Sequence, residues 1–200
     1  MTERLLRFRC TGCGNCCKEP VLPLTNEDAR RIADATGDAP RDFVRFLPSS
    51  AIAMEHEPEA FLQLRQGRRV MTLRQVRGRC RYLSPDDRCS IYEARPLGCR
   101  VFPLNATFGR RDGGLRRLTL IQATTCEYEL DGRQSIPKLR ALAHDYEAAN
   151  ARWHLWIREW NRVQAARRRR GLAARPASAL FDFLGLTARR PSLGTCPSRR

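Results

Sequence analysis

Apolar residues recur at alternating steps of three and four along Leu139, Leu142, Tyr146, Ala149, Trp153, Trp156, Trp160 and Val163. That spacing keeps side chains on one face of an α-helix, so the pattern predicts one long helix from about Ser135 with a single seam. Three tryptophans on the seam carry much apolar area, at about 25 cal/mol per Å² removed from water. Coiled-coil seams favour Leu and Ile over stacked Trp. The expectation is therefore packing across the rest of the domain, and a monomer.

Upstream the periods are shorter. Thr25-Asn-Glu-Asp28 reads as a capping-box helix start, with Gly37 as its stop. Pro40 predicts a second short helix through Phe43, Val44 and Phe46, closed before Pro48. Residues 49–68 show no clear period. Met71, Leu73 and Val76 mark a strand between Arg69 and Val76, and a hairpin is expected from Phe102–Phe108 and Leu115–Ile121, joined through Asp112-Gly113-Gly114. After Arg167-Arg-Arg-Arg170 the chain turns small, proline-containing and arginine-rich, as a tail does. Within it Ala179–Leu186 is short and amphipathic enough to dock, whereas the stretch past Arg189, with Cys196, is expected to be mobile.

The fold class this predicts is α+β: a small, mainly helical domain with a short hairpin at residues 1–134. The long helix, 135–170, packs on it, and a basic, partly disordered tail follows at 171–200.

Composition narrows the function classes. Two hundred residues can bury a real core, so no metal is demanded by small size alone. With 42% hydrophobic and 29% charged residues the chain is neither disordered nor membrane-like in composition, and no apolar run approaches the ~20 residues of a membrane span. Met1 to Cys10 has no stretch of signal-peptide character, which points to a cytoplasmic chain with reduced thiols. The formal net charge is +16, and only Lys18 and Lys138 are lysines. Arginine dominance is what a GC-rich bacterial genome produces, although positive charge also favours encounters with nucleic acid or acidic proteins. Nucleic acid held by the basic surface or tail is thus a secondary reading, and a protein partner stays open.

The cysteines change the picture most. Leaving Cys196 aside, Cys10, Cys13, Cys16 and Cys17 form a dense group and Cys80, Cys89, Cys99 and Cys126 a dispersed one. A disulfide framework conflicts with the cytoplasmic start and with the adjacent Cys16-Cys17 pair, which can bridge only with backbone strain. Inert packing does not require four thiols within eight positions. Metal ligation does: two intervening residues let a turn aim successive sulfurs at one point, and Gly12 and Gly14 permit the wrapping. The same three-cysteine step opens the bacterial ferredoxin run, but here the fourth cysteine is adjacent. Cys17 should therefore serve a second metal or leave one corner to a distant cysteine. Arg9, Arg79, Arg81, Arg88 and Arg100 flank the thiols and favour their ionised form. His144 and His154 have no cysteine nearby and read as surface or boundary residues. Asp86-Asp87 reads as a turn.

Cys10-Thr-Gly-Cys13-Gly-Asn-Cys16-Cys17, Cys80-Arg-Tyr-Leu, Arg88-Cys89-Ser-Ile-Tyr92 and Arg95-Pro96-Leu-Gly-Cys99-Arg100-Val-Phe-Pro103 together resemble the YkgJ-type cysteine-cluster proteins, a zinc- or iron-chelating group that flagellin lysine N-methylases also resemble. The resemblance runs from about Cys10 to Cys126. It implies Cys10, Cys13, Cys16, Cys17, Cys80, Cys89, Cys99 and Cys126 as metal ligands in an irregular cysteine-ligated centre. Cys126 departs from the pattern, being followed by Glu127-Tyr128 where the family has Pro-Gly. Pro96 is expected to fix the approach to Cys99, Arg95 or Arg100 to support the sulfurs from behind, and Tyr92 to pack.

Iron or an iron-sulfur cluster is the preferred cofactor, because the opening triplet is ferredoxin-like and the thiols outnumber the needs of one structural zinc. The implied role is redox, maturation or modification chemistry. Zinc is the alternative, in a binding module for nucleic acid or an acidic protein. No Gly-x-Gly-x-x-Gly loop, Ser/His/Asp set or carboxylate pair stands out, so no enzyme activity is assigned.

Overall fold

Thr25 and Asp28 start the first helix as the sequence predicts. Thr25 Oγ1 accepts from the Asp28 N–H, and the Asp28 carboxylate accepts from the Thr25 N–H, each at 3.1 Å. This capping box satisfies donors that the first turn cannot use. The helix, α1, spans Asn26–Thr36 and closes at Gly37, whose φ of 74° turns its N–H back to the Ala33 carbonyl.

The computed structural model describes residues 5–18, 22–52, 58–109, 114–121 and 127–187. Within them β1 (Leu5–Leu6) and β2 (Arg9–Cys10) precede α1, which is followed by α2 (Pro40–Phe43), β3 (Val44–Pro48), β4 (Leu62–Leu64), β5 (Gly67–Leu73), β6 (Gln75–Val76) and β7 (Arg79–Cys80). Next come α3 (Leu97–Val101), β8 (Leu104–Phe108), β9 (Leu115–Leu120), β10 (Tyr128–Glu129), β11 (Gln134–Ser135), α4 (Ile136–Arg169) and α5 (Ala177–Phe183). The class is α+β, as expected. Strands are more numerous than one hairpin: the described strands form five small sheets, the largest in the order β3-β5-β4.

Two local expectations change. The helix opened by Pro40 stops at Phe43, because Val44–Pro48 pairs antiparallel with β5 from Val44↔Leu73 to Pro48↔Arg69. Tertiary pairing overrides the helical reading here, and Val44 is buried while Arg45 is exposed, as a strand requires. The unreadable 49–68 stretch holds β4, the outer strand of the same sheet. The β8–β9 hairpin forms as predicted, with Leu104 opposite Leu120; its Asp112 and Gly113 lie outside the described residues.

The long helix also forms, 34 residues with Ser135 as its cap. Its inner face is Ala143, Ala149, Trp153, Ile157, Trp160 and Gln164. Trp156 is 40% exposed, since Ile157 and not Trp156 takes the inward step after Trp153. Trp160 has no exposed area.

The expected docking of residues 179–186 occurs through α5. Leu180, Leu184 and Leu186 are buried, the Phe181 ring meets Phe46 at 5.8 Å, and Phe183 meets Trp160 at 5.3 Å. Arg30 Nη2 donates to the Leu184 carbonyl at 3.0 Å. The chain after α4 therefore adds to the same core as α1, β3–β5 and Trp153. Residues past Thr187, including Cys196, lie outside the described part. None of the described helices is long and apolar enough to cross a membrane.

Candidate metal centre

Gly14, with φ 71°, precedes a single tight turn at Asn15–Cys17, and the Cys17 N–H returns to the Gly14 carbonyl at 3.0 Å. Adjacent thiols that would point apart in a strand are here folded toward the rest of the chain. Cys80 ends β7, which pairs with β6, and the Leu83–Cys89 bridge closes the loop that carries Cys89. Ser84 and the Arg88 backbone hold that loop, with the Ser84 N–H donating to the Arg88 carbonyl at 2.9 Å. Cys99 lies in α3, where Pro96 fixes the entry with φ −52°.

Five sulfurs meet. The Cys16 thiol donates to Cys17 and the Cys17 thiol donates to Cys80, which also accepts from the Tyr82 backbone N–H. Cys89 and Cys99 stand close enough for their charges to act on Cys17 and Cys80. The consequences are opposite along the chain. Donation to Cys17, then burial, pushes the Cys16 thiol far up. Acceptance from Cys16 pulls Cys17 down, but its own bond to Cys80, burial and the neighbouring thiols leave it raised to about 11. Acceptance from Cys17 lowers Cys80 despite burial. Burial raises Cys99 most of all its influences, with Cys17, Cys16 and Cys89 adding to it.

Among the predicted ligands, Cys16, Cys17, Cys80, Cys89 and Cys99 are thus brought together. Cys10 is exposed in β2 opposite Tyr128, and Cys13 is half-exposed in the loop; neither enters the chain of thiol hydrogen bonds. Cys126 lies outside the described residues. All seven described cysteines are free. Among the described residues no three Cys, His, Asp or Glu side chains are already drawn into a closed coordination set. The sulfurs are near enough for their charges to act on one another. As a donor set they suit a thiophilic ion: soft thiolates without carboxylates select zinc or iron over magnesium or calcium.

The flanking arginines mostly serve other ends. Arg9 pairs with Glu129 and with Asp131, the latter at 2.8 Å; Arg79 pairs with Asp87, and Arg81 with Asp38 at 3.3 Å. Arg100 donates to the Glu93 and Arg95 carbonyls. Arg95, by contrast, faces the sulfurs, and its charge acts on both Cys16 and Cys99. Its Nε is buried without a hydrogen-bond partner, while the guanidinium lies 3.8 Å from the centre of the Tyr92 ring. Tyr92 is 55% exposed, so it is a platform for Arg95 and not the core packing expected of it.

Two carboxylates that composition could not single out hold the centre together. Asp28 does more than cap α1: its Oδ1 accepts from the Leu97 N–H at 3.0 Å, at the entry of the Cys99 helix, and pairs with Arg31. Asp87 pairs with Lys18 at 2.7 Å and with Arg79, tying the N-terminal cysteine turn to the Cys80–Cys89 loop. Each residue had a local explanation in the sequence, a cap and a turn, which masked the long-range one.

Convergent, free, soft donors from three separate stretches define a cysteine-rich metal-chelating protein. The model of the CxxCxxCC family, described as a "putative zinc- or iron-chelating domain", matches residues 9–127, more than half of the chain, and the protein belongs to that family. No curated protein and no solved structure gives a significant match.

Proposed function

We propose that Cys16, Cys17, Cys80, Cys89 and Cys99, joined by Cys10, Cys13 and Cys126, hold iron or an iron-sulfur cluster, and that the protein serves redox, maturation or modification chemistry. The observation that carries the reading is the nearness of five thiols that act on one another, one more than a tetrahedral structural zinc can use. A bound iron centre would supply one-electron transfer or Lewis acidity. The chain's own part is to present the sulfurs, to place the Arg95 charge beside Cys16 and Cys99, and to donate the Tyr82 N–H to Cys80. Such donors offset the negative charge of a thiolate centre and tune it.

Anaerobic purification followed by elemental analysis and visible absorption tests this. Iron with sulfur-to-iron charge-transfer bands is the expected outcome. A colourless sample holding stoichiometric zinc and no iron would overturn the iron reading and favour a zinc-stabilised binding module.

A further inference from the structure

The β4–β5 hairpin and the end of α4 bring two arginine-rich segments onto one face. The Arg65 N–H donates to the Arg175 carbonyl at 3.0 Å, Arg168 Nη2 to Gln63 Oε1 at 3.2 Å, and the Arg175 N–H to Gln164 Oε1 at 2.9 Å. These bonds, with Arg68 directly opposite Gln63, set the hairpin's Arg65 and Arg68 beside the helix end Arg167–Arg170, and Arg69 follows on β5. We propose that this face binds the phosphodiester backbone of a nucleic acid.

Three observations support it. First, among the described residues Arg65, Arg68, Arg69 and Arg167–Arg170 make no ion pair, and residues 60–78 and 163–181 contain no Asp or Glu. By contrast Arg9, Arg31, Arg79, Arg81, Arg152 and Arg162 are all paired with carboxylates. Second, the structure accounts for few of them. The helix dipole favours cations in the last turn of α4, and Arg167 Nε donates to the Ala173 carbonyl at 3.2 Å; in the hairpin Arg68 lies 4.6 Å from the centre of the Phe61 ring and Arg69 Nη1 donates to the Arg68 carbonyl at 3.0 Å, which leaves Arg65 and the arginines at 168–170 with free charge to offer. Arg65, Arg68, Arg168, Arg169, Arg170 and Arg175 are exposed. Third, the guanidinium fork matches phosphate oxygens two at a time.

Other polyanions fit less well. A membrane-surface site needs a row of apolar side chains to insert, and Leu172 is the one large apolar residue exposed along this stretch. An acidic protein would need a buried aromatic or aliphatic centre to its interface, which the face lacks. Its position also separates it from the thiols. Gly98 of α3 packs near Tyr146, and the helical rise from Tyr146 to Arg167 is about 30 Å. The proposal therefore stands apart from the metal reading.

The test measures fluorescence anisotropy of a labelled single-stranded RNA, the same sequence as single-stranded DNA, and its duplex, across a salt series. It compares Arg168→Gln/Arg169→Gln/Arg170→Gln with Arg65→Gln/Arg68→Gln/Arg69→Gln and with a control, Arg41→Gln/Arg117→Gln/Arg140→Gln, exposed and scattered on other elements. Either patch variant should weaken binding about tenfold or more and flatten the plot of log affinity against log salt by about 0.7–0.9 for each phosphate no longer neutralised, the control by far less. Unfolding curves and metal content identify any variant that misfolds, and the two patch variants alter different elements. Equal loss in patch and control variants, unchanged binding in both patch variants, or tighter patch-dependent binding to phosphatidylserine vesicles than to any nucleic acid would overturn the proposal.

Discussion

Gly14 lies directly against Asp87. A Cβ at residue 14 would stand 2.9 Å from the Asp87 Cβ and 3.0 Å from its carbonyl oxygen. Both backbones are left-handed, with φ 71° at Gly14 and 59° at Asp87. Aspartate tolerates that region better than most residues, because its short side chain bonds locally. This contact, with the Lys18–Asp87–Arg79 pairs, locks the N-terminal cysteine turn onto the loop between Cys80 and Cys89.

Gly14→Ala should therefore be among the most damaging small substitutions near the centre. It adds backbone strain and a clash with main chain, together about 2–3 kcal/mol, and it pushes Cys16 and Cys17 away from Cys80. Asp87→Ala removes only partly exposed ion pairs and should cost under about 1 kcal/mol. Urea unfolding of the two variants ranks them, and an equal loss would refute the steric account.

Asp28 predicts a coupling over distance. Its carboxylate is buried and accepts from Thr25 of its own helix, from Arg31, and from the Leu97 N–H at the entry to Cys99. Asp28→Ala leaves those donors without an acceptor and should cost about 3 kcal/mol. It should also make Cys99 react faster with a thiol reagent in the metal-free protein, whereas Asp28→Asn, which keeps an acceptor oxygen, should fall between. Unchanged Cys99 reactivity in the alanine variant would confine Asp28 to capping α1.

If the five grouped sulfurs form the heart of the metal site, single serine replacements there should differ from those outside. Cys17→Ser, Cys80→Ser and Cys99→Ser are expected to lose most bound metal, and Cys10→Ser to lose less, by elemental analysis of identically purified samples. Stripping the wild type with a strong chelator should lower its melting temperature, since an ion bound only by the folded state stabilises it by RT ln(1 + [L]/Kd).

The Cys16–Cys17 pair and the distant cysteines were recognisable in sequence because type and spacing are local properties. So was α1, whose cap is four residues long, and α4, whose seam repeats over eight apolar positions. What could not be seen is which sulfurs face one another. That depends on Asp87 meeting Gly14 and on Asp28 meeting Leu97, contacts across 73 and 69 residues that leave no period in the chain. The strand at Val44–Pro48 was hidden for the same reason: its pairing with Leu73–Arg69 decides it. Ile157 displaced Trp156 from the inner face because an apolar seam of steps three and four has two self-consistent continuations there.

Glu27 and Arg152 join the start of α1 to α4 through two bonds of 2.6 and 2.9 Å. Arg152 holds the Glu27 carboxyl below its usual range, outweighing the opposing effect of burial. A lowered folded-state pKa contributes stability above the unfolded pKa, and that contribution disappears as pH falls through the folded value. The pair is largely exposed, so it should be worth under about 1 kcal/mol. Wild type should exceed Glu27→Gln in stability at neutral pH and the difference should close in acid and shrink in high salt. A gap that persists at a pH low enough to protonate the carboxylate in the folded state as well would assign the effect to packing.

The outer edge of β4 supplies the last prediction. An edge strand exposes unpaired N–H and C=O groups that invite pairing with another chain. Here α4 covers them with side chains: Asn161 Oδ1 accepts from the Gln63 N–H at 2.7 Å, Asn161 Nδ2 donates to the Phe61 carbonyl at 2.8 Å, and Trp160 Nε1 donates to the Gln63 carbonyl at 2.9 Å. One amide thus serves as both donor and acceptor, imitating a further strand. Asn161→Ala strands two half-buried backbone groups and should destabilise by about 2–4 kcal/mol. Asn161→Asp keeps the bond to the Gln63 N–H but places a carboxylate against the Phe61 carbonyl, so it should lose stability while still covering part of the edge. Thermal unfolding followed by light scattering separates the consequences: the alanine variant should melt lower and aggregate at an earlier stage of unfolding than the aspartate variant. Equal scattering at matched fractions unfolded would mean that Asn161 stabilises the fold without protecting the edge.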